Sequence, residues 1–242
     1  ATQSVIVRLN INQKPNEIKR PISISSENGS VPDGYARWLK STTYKQKQEG
    51  YSSVFVTLES GDITANQLRA VAQITKDLSA EGFARNGFSQ DIVLRYVHES
   101  DLPKLYSRLL ASGLANSGSL TMASPVGCSG TSSCNLALTN SHRLAKEIQR
   151  KFLELKLDED DDLRDSTIKI SGCPNSCGQH EIATIGFFGG GARVGKDMYP
   201  NYSMSLGGRF DDKSMLGVTC MRVPVKRTIP VILKIIELFK KN

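Results

Sequence analysis

Cys128-Ser129-Gly130-Thr131-Ser132-Ser133-Cys134 and Ile170-Ser171-Gly172-Cys173-Pro174-Asn175-Ser176-Cys177-Gly178-Gln179-His180 are the two stretches on which the reading of this chain turns. They give Cys-x5-Cys and Cys-x3-Cys with thirty-eight residues between them, both in runs of Gly, Ser and Pro. Small residues let a backbone wrap closely round a compact group and aim its N–H groups inward. Four thiolates gathered in this way suit a cubane iron–sulfur cluster. A four-cysteine zinc site is the competing reading, although its pairs are usually spaced Cys-x2–4-Cys and five is wide. Unrelated buried thiols are the third reading, but they do not normally arrive as two close pairs in glycine loops. Disulfides are disfavoured, because the chain opens on no export signal and reduced thiols are the intracellular default. Cys220, alone in an apolar strand, reads as a buried structural thiol. His98, His142 and His180 stand too far apart in sequence to propose a metal triad.

Outward from these loops, residues 120–242 alternate helix and strand. A helix from about Ser141 to Leu157 carries Leu144, Ile148 and Phe152 on one face, and the strand Thr167–Ile170 follows. A glycine-rich turn around Gly189-Gly190-Gly191 precedes short strands near Ser203–Leu206 and Gly217–Cys220. A closing helix bears Ile232, Ile236 and Phe239. Those glycines do not complete Gly-x-Gly-x-x-Gly, so a nucleotide fold is a weak reading. Upstream, Val54, Val56 and Leu58 alternate as in a half-buried strand, and Thr64 with Gln67 forms a capping box for a helix with Leu68, Val71 and Leu78 on one face. Phe88 to Val97 reads as a second strand. Ser100 is expected to cap a helix bearing Leu102, Leu105 and Leu109, which Gly113 ends. The fold class is therefore α+β. The expected organisation is an extended lead-in over 1–48, an α/β sandwich over 49–117 and a mixed α+β unit over 118–242, divided at the polar Asn116-Ser117-Gly118-Ser119. Within the lead-in, Val5-Ile6-Val7-Arg8-Leu9 alternates like a strand, and the single Trp38 reads as a buried anchor.

The chain has 242 residues and a net charge of +7, with 31 Lys and Arg against 24 Asp and Glu. Its apolar and charged fractions, 39% and 23%, are those of a globular protein. No apolar stretch approaches the ~18–20 residues of a membrane helix, and the expected location is the cytoplasm. The positive residues are scattered, and Asp158-Glu159-Asp160-Asp161-Asp162 sets five negative charges in one place. Such a surface suits an acidic macromolecule, an anionic substrate or a polycarboxylate cofactor, or serves solubility alone.

At its cysteines the chain resembles a known family. Cys128-x5-Cys134, the stretch Ile170–His180, then Ala183-Thr184-Ile185-Gly186-Phe187 and Leu206-Gly207-Gly208 are similar to the sirohaem and [4Fe–4S] signature of assimilatory nitrite and sulfite reductases. Asp62-Ile63-Thr64 and Gln67-Leu68-Arg69 resemble the opening of that family's ferredoxin-like domain. The likeness covers about residues 45–242. It implies a ferredoxin-like α/β sandwich followed by a sirohaem- and [4Fe–4S]-binding domain. It also implies that Cys128, Cys134, Cys173 and Cys177 hold the cluster, with Cys177 bridging to the sirohaem iron as the catalytic ligand. The implied reaction is six-electron reduction of nitrite to ammonia or sulfite to sulfide, with electrons from a donor such as ferredoxin. Sirohaem carries eight carboxylates, which gives the cations a partner in place of nucleic acid; Arg193, Lys196 and Arg209, near the glycine turns, are the candidates. Family members carry two such halves, and this chain resembles the second. A missing first half or a second copy of the chain is therefore an expected partner. An iron–sulfur electron-transfer module without sirohaem, or a zinc-stabilised structural domain, are the alternatives.

Overall fold

The computed structural model describes residues 32–119 and 121–241. The expected strand at Val5–Leu9 lies outside them.

Two hydrophobic clusters form, one from Trp38 to Leu114 and one from Met122 to Ile236. The first belongs to a four-stranded antiparallel sheet. Its elements are α1 (Tyr35–Thr42), β1 (Thr43–Lys45), β2 (Tyr51–Val56), α2 (Ala65–Leu78), β3 (Ala84–Asn86), β4 (Ile92–His98) and α3 (Leu102–Ala111), with strand order β1-β2-β4-β3. Val54 and Val56 alternate inward along β2, as the period of two requires. They meet Val71, Ile74 and Leu78 of α2 and Leu105 and Leu109 of α3. The Thr64–Gln67 capping box is fully formed at the start of α2. Leu68 departs from expectation: it is 50% exposed, and Ile74 and Thr75 complete the buried face instead.

Three more expectations are corrected here. Residues 35–42 are helical, where an extended lead-in was expected. Trp38 anchors this helix at 1% exposure, its ring 5.2 Å from that of Tyr106, whose hydroxyl donates to Asp33 O at 2.8 Å. Ser41 and Thr42 are buried there because each hydroxyl donates to a carbonyl one turn back, to Arg37 O and Trp38 O. Phe88 lies in the turn before β4 and is 77% exposed. Ser100 does not cap α3; a 3₁₀ turn over Glu99–Asp101 comes first, and the Ser100 N–H donates to His98 Nδ1.

The second cluster belongs to a five-stranded mixed sheet, β5 (Val126–Gly127), β6 (Ile168–Ser171), β7 (Ile185–Val194), β8 (Asp197–Leu206) and β9 (Val218–Pro224), in that spatial order. β5, β6 and β7 are parallel, and β7, β8 and β9 antiparallel. α4 (Ser141–Glu154) and α5 (Thr228–Phe239) pack on it through Leu144, Ile148, Phe152, Ile232 and Ile236. Phe239 is exposed. Gly189, Gly190 and Gly191 lie inside β7 rather than in a turn. No helix among the described residues is long and apolar enough to cross a membrane.

The acidic run turns out to join the two layers. Arg37 Nε donates to Asp158 Oδ2 at 2.7 Å while its Nη2 bonds Asp158 Oδ1 and Leu153 O, and Ser117 Oγ also donates to Asp158. Lys40 pairs with Asp161, and Lys240 with Asp160. Asp62 of the family-like motif faces α4, receiving Lys146 Nζ at 2.5 Å and standing 3.2 Å from His142 Nε2.

Asp158 is fully buried at its side chain, so removing its partner strands a charge. Arg37→Met is expected to cost about 3–5 kcal/mol in urea unfolding, much of it recovered by adding Asp158→Leu. An unchanged midpoint for the single variant would remove the pair from this role.

Asp91 sits at the same junction, accepting from Leu58 N–H, Ser89 Oγ and Ser119 Oγ without a cation. Burial pushes its carboxyl from 3.8 up to about 6. The folded chain thus keeps a proton that the unfolded chain loses first, and this contribution to stability is lost as pH rises from about 4 through 6. Comparing the wild type with Asp91→Asn, the difference should move in the variant's favour by about 2 kcal/mol between pH 4 and pH 7. A pH-independent difference would exclude Asp91 as the titrating group.

Candidate metal centre

The cysteines stand where β5 and β6 end. Cys128 follows β5 directly, and its N–H donates to Ile170 O at 3.0 Å, the last rung of the parallel ladder. The chain then makes a 3₁₀ turn over Gly130–Ser132, and Cys134 N–H donates back to Gly130 O at 3.0 Å. Asn140 caps α4 by accepting from Arg143 N–H, which fixes where the loop ends. Ser141 Oγ, in the first turn of α4, donates to Cys128 O at 2.8 Å and lies 3.1 Å from Cys128 Sγ.

The second loop is stitched to the first through Gly172. Its N–H donates to Cys128 Sγ at 3.1 Å, and its carbonyl accepts from Leu138 N–H at 2.8 Å and Thr139 N–H at 3.2 Å. A Cβ at Gly172 would stand 2.9 Å from Gly130 Cα, and one at Gly189 would stand 2.2 Å from Gly172 O. The backbones approach so closely that only glycine fits. Beyond Cys173 the chain reverses through Ser176 and Gln179, both at φ 59°, with Gln179 N–H bonded to Ser176 O at 2.7 Å. A Cβ at Gly178 would meet Ile170 O at 2.1 Å. These reversals turn Cys177 outward, so it is exposed while Cys173 is buried and Cys128 and Cys134 are half-buried.

The donor set fits a cluster. A peptide N–H directed at Cys128 Sγ is the kind of bond that tunes cluster potentials. Among the described residues, no three His, Cys, Asp or Glu side chains converge closely enough for one metal ion.

The structure divides the three candidate cations. β7 runs six residues past Phe188, its last partner on β6, so the β7–β8 hairpin overhangs the end of the sheet that carries the cysteines. Arg193 and Lys196 lie exposed on that overhang, together with exposed Val194, Met198 and Tyr199. Arg209 lies beyond Leu206, which pairs with Ile185 at the opposite end of the sheet. There its Nε donates to Lys213 O at 2.7 Å and faces Asp211 at 3.3 Å. Arg209 is thus not brought to the cysteines, because β8 carries it away from them. Cys220 is also corrected: it is exposed on the edge strand β9, where its thiol donates to Met204 O.

Two further polar residues are buried near the cysteines. Lys169, only 5% exposed, donates to Gln179 Oε1 at 2.8 Å and lies 5.7 Å from the Phe88 ring centre, and burial lowers its pKa. His180 is buried, its Nδ1 3.0 Å from Ser171 Oγ and its ring 4.8 Å from Phe188; burial lowers its pKa, favouring the neutral imidazole. Strand alternation would have read Lys169 as a solvent-facing residue.

Residues 44–112 match the sequence model of the nitrite/sulfite reductase ferredoxin-like half domain, and residues 119–242 that of the nitrite and sulphite reductase 4Fe-4S domain. The chain is 30% identical over 187 residues to a ferredoxin–nitrite reductase of Synechococcus elongatus, covering 75% of this chain and 36% of that protein. It is 24% identical over 205 residues to a sulfite reductase [ferredoxin] of Mycolicibacterium paratuberculosis, covering 83% of this chain and 36% of that protein. The fold is shared with the Mycobacterium tuberculosis NirA protein, at a TM-score of 0.66 and 23% identity over 79% of this chain and 36% of that one. The chain thus spans about a third of the length of the curated relatives it matches. The two matches together cover most of the described residues, and the chain belongs to the nitrite and sulfite reductase family.

Proposed function

We propose that this chain is the cluster-bearing part of a reductase that takes nitrite to ammonia or sulfite to sulfide in six electrons. In this reading residues 49–117 are the ferredoxin-like half domain and residues 118–242 the sirohaem- and [4Fe–4S]-binding domain. The observation that carries it is the pair of cysteine loops stitched at Gly172, where Cys177 alone of the four loop cysteines is exposed. Sirohaem and the cluster, when bound, would supply the redox chemistry.

The chain's own residues do the rest. Cys128, Cys134, Cys173 and Cys177 each offer one thiolate to the cluster, and Cys177 is the one that a macrocycle approaching from outside can also reach. Gly172 N–H directs a donor at the Cys128 sulfur. Arg193 and Lys196 sit among Val194, Met198 and Tyr199 on the overhang, a mixture that matches an apolar ring with a carboxylate rim. Relatives named as ferredoxin–nitrite reductases support ferredoxin as the electron donor. The cations that hold the substrate anion are assigned to a first half, or to a second copy of this chain, that closes over the overhang. All five cysteines are free, as cluster assembly requires, and a reducing compartment such as the cytoplasm suits them.

Anaerobic reconstitution with iron and sulfide is expected to yield one [4Fe–4S] cluster per chain, with broad brown absorption. Serine at Cys128, Cys134 or Cys173 should sharply lower cluster yield. Zinc uptake in place of iron, in a colourless protein, would overturn the assignment. Cys220→Ala should load a full cluster and change stability by less than ~0.5 kcal/mol, as an exposed site does; cluster loss there would mean that a different four cysteines bind.

In the complete enzyme, Cys177→Ser is expected to abolish six-electron turnover. Retained turnover would remove the thiolate from the electron path.

A further inference from the structure

We propose that Gln90 is a positioning residue for the cluster, acting from the four-stranded layer on the strand that delivers Cys128. The proposal rests on the reading that Cys128 is a cluster ligand.

β5 is two residues long, and β6 pairs with only one of its edges. Cys128 turns its N–H to β6, so Gly127, one residue earlier, turns its N–H and C=O to the opposite edge. No strand lies there among the described residues. The Gln90 carboxamide takes that place. Its Nε2 donates to Gly127 O at 2.9 Å, and Gly127 N–H donates to its Oε1 at 3.1 Å. One planar amide thereby supplies the donor and the acceptor that a neighbouring strand would offer.

Both sides of this contact are pinned. Gln90 has φ 66°, a left-handed conformation uncommon for a residue with a side chain. Its Cβ lies over Gly61, where an added Cβ would be 3.3 Å away. The next residue, Asp91, is held by Leu58 N–H and Ser119 Oγ. On the other side, a Cβ at Gly127 would meet Ala145 Cβ at 2.9 Å and Ser141 O at 3.0 Å, so the strand lies directly against α4. Cys128 is therefore located by Ile170 on one edge, Ser141 above and Gln90 through Gly127. Without the carboxamide, a two-residue strand paired on one side loses its outer support. The Cys128 sulfur then shifts relative to the Gly172 N–H that bonds it.

The test uses the chain reconstituted anaerobically with iron and sulfide, and compares wild type, Gln90→Ala, Gln90→Glu and Ser117→Ala. Ser117→Ala removes a different bond of the same junction, the donation to Asp158, without touching β5. Three readouts apply: hydrogen exchange of the Gly127 amide in the metal-free chain, the electron paramagnetic resonance of the reduced cluster, and the rate at which a chelator removes iron. Gln90→Ala should expose the Gly127 amide, shift the resonance and speed iron release about tenfold, the scale on which residues that orient metal ligands act. Gln90→Glu keeps an acceptor for Gly127 N–H but loses the donor, and should fall between the two. Ser117→Ala should leave the resonance and the release rate as in wild type. Wild-type resonance and release in Gln90→Ala, or equal changes in Ser117→Ala, would overturn the proposal. A wild-type chain that takes up no cluster would overturn the cluster reading itself, and this proposal with it.

Discussion

Gly172 is bonded in both directions across the cysteine loops, and the rest of the site depends on that. Its N–H reaches the Cys128 sulfur, and its carbonyl takes the N–H groups of Leu138 and Thr139. The two loops are separated in sequence by α4 and the whole acidic run, yet these contacts tie one to the other. The price is a backbone without side chains at Gly130, Gly172 and Gly189, where a Cβ would stand within 3 Å of neighbouring atoms. The glycines around the cysteines are thus a packing requirement as much as a turn requirement.

The two layers are held by polar contacts that sequence distance conceals. Arg37 and Asp158 stand 121 residues apart, and the pair is closed by Ser117 and the Leu153 carbonyl. Asp62 and Glu59 meet Lys146 and Arg150 along α4 in the same way. The net positive charge is left by cations that this pairing does not use. Arg193 and Lys196 are among them, since no acidic partner is found for either among the described residues, and they lie at the cysteine end of the sheet.

Local rules were legible wherever one element satisfied itself. The alternation in β2, the capping box of α2, the apolar face of α4 and the paired cysteine motifs all depend on residues close in sequence. What escaped depended on a second element arriving from far away. α1 is two turns long and hides Ser41 and Thr42 by returning their hydroxyls to the helix, so its pattern looked polar. Lys169 is covered because Phe88 and Gln179 come over it, not because of its neighbours in β6. Cys220 has apolar surroundings in sequence, but β9 is an edge strand, and five of its other residues are exposed with it. The acidic run puts five negative charges in one place in the sequence, and Arg37, Lys40 and Lys240 come to it from distant elements.

The overhanging hairpin has a thermodynamic consequence. Between Gly191 and Pro200 it is only two strands wide, since β6 ends opposite Phe188 and β9 reaches no further than Asn201. A two-stranded ribbon is marginal in water, and glycine at its root adds chain entropy. Its rigidity therefore has to come from whatever it closes upon. In the proposed reading, a group that binds there would order the arm as it binds, so part of the contact energy would go to stilling the ribbon.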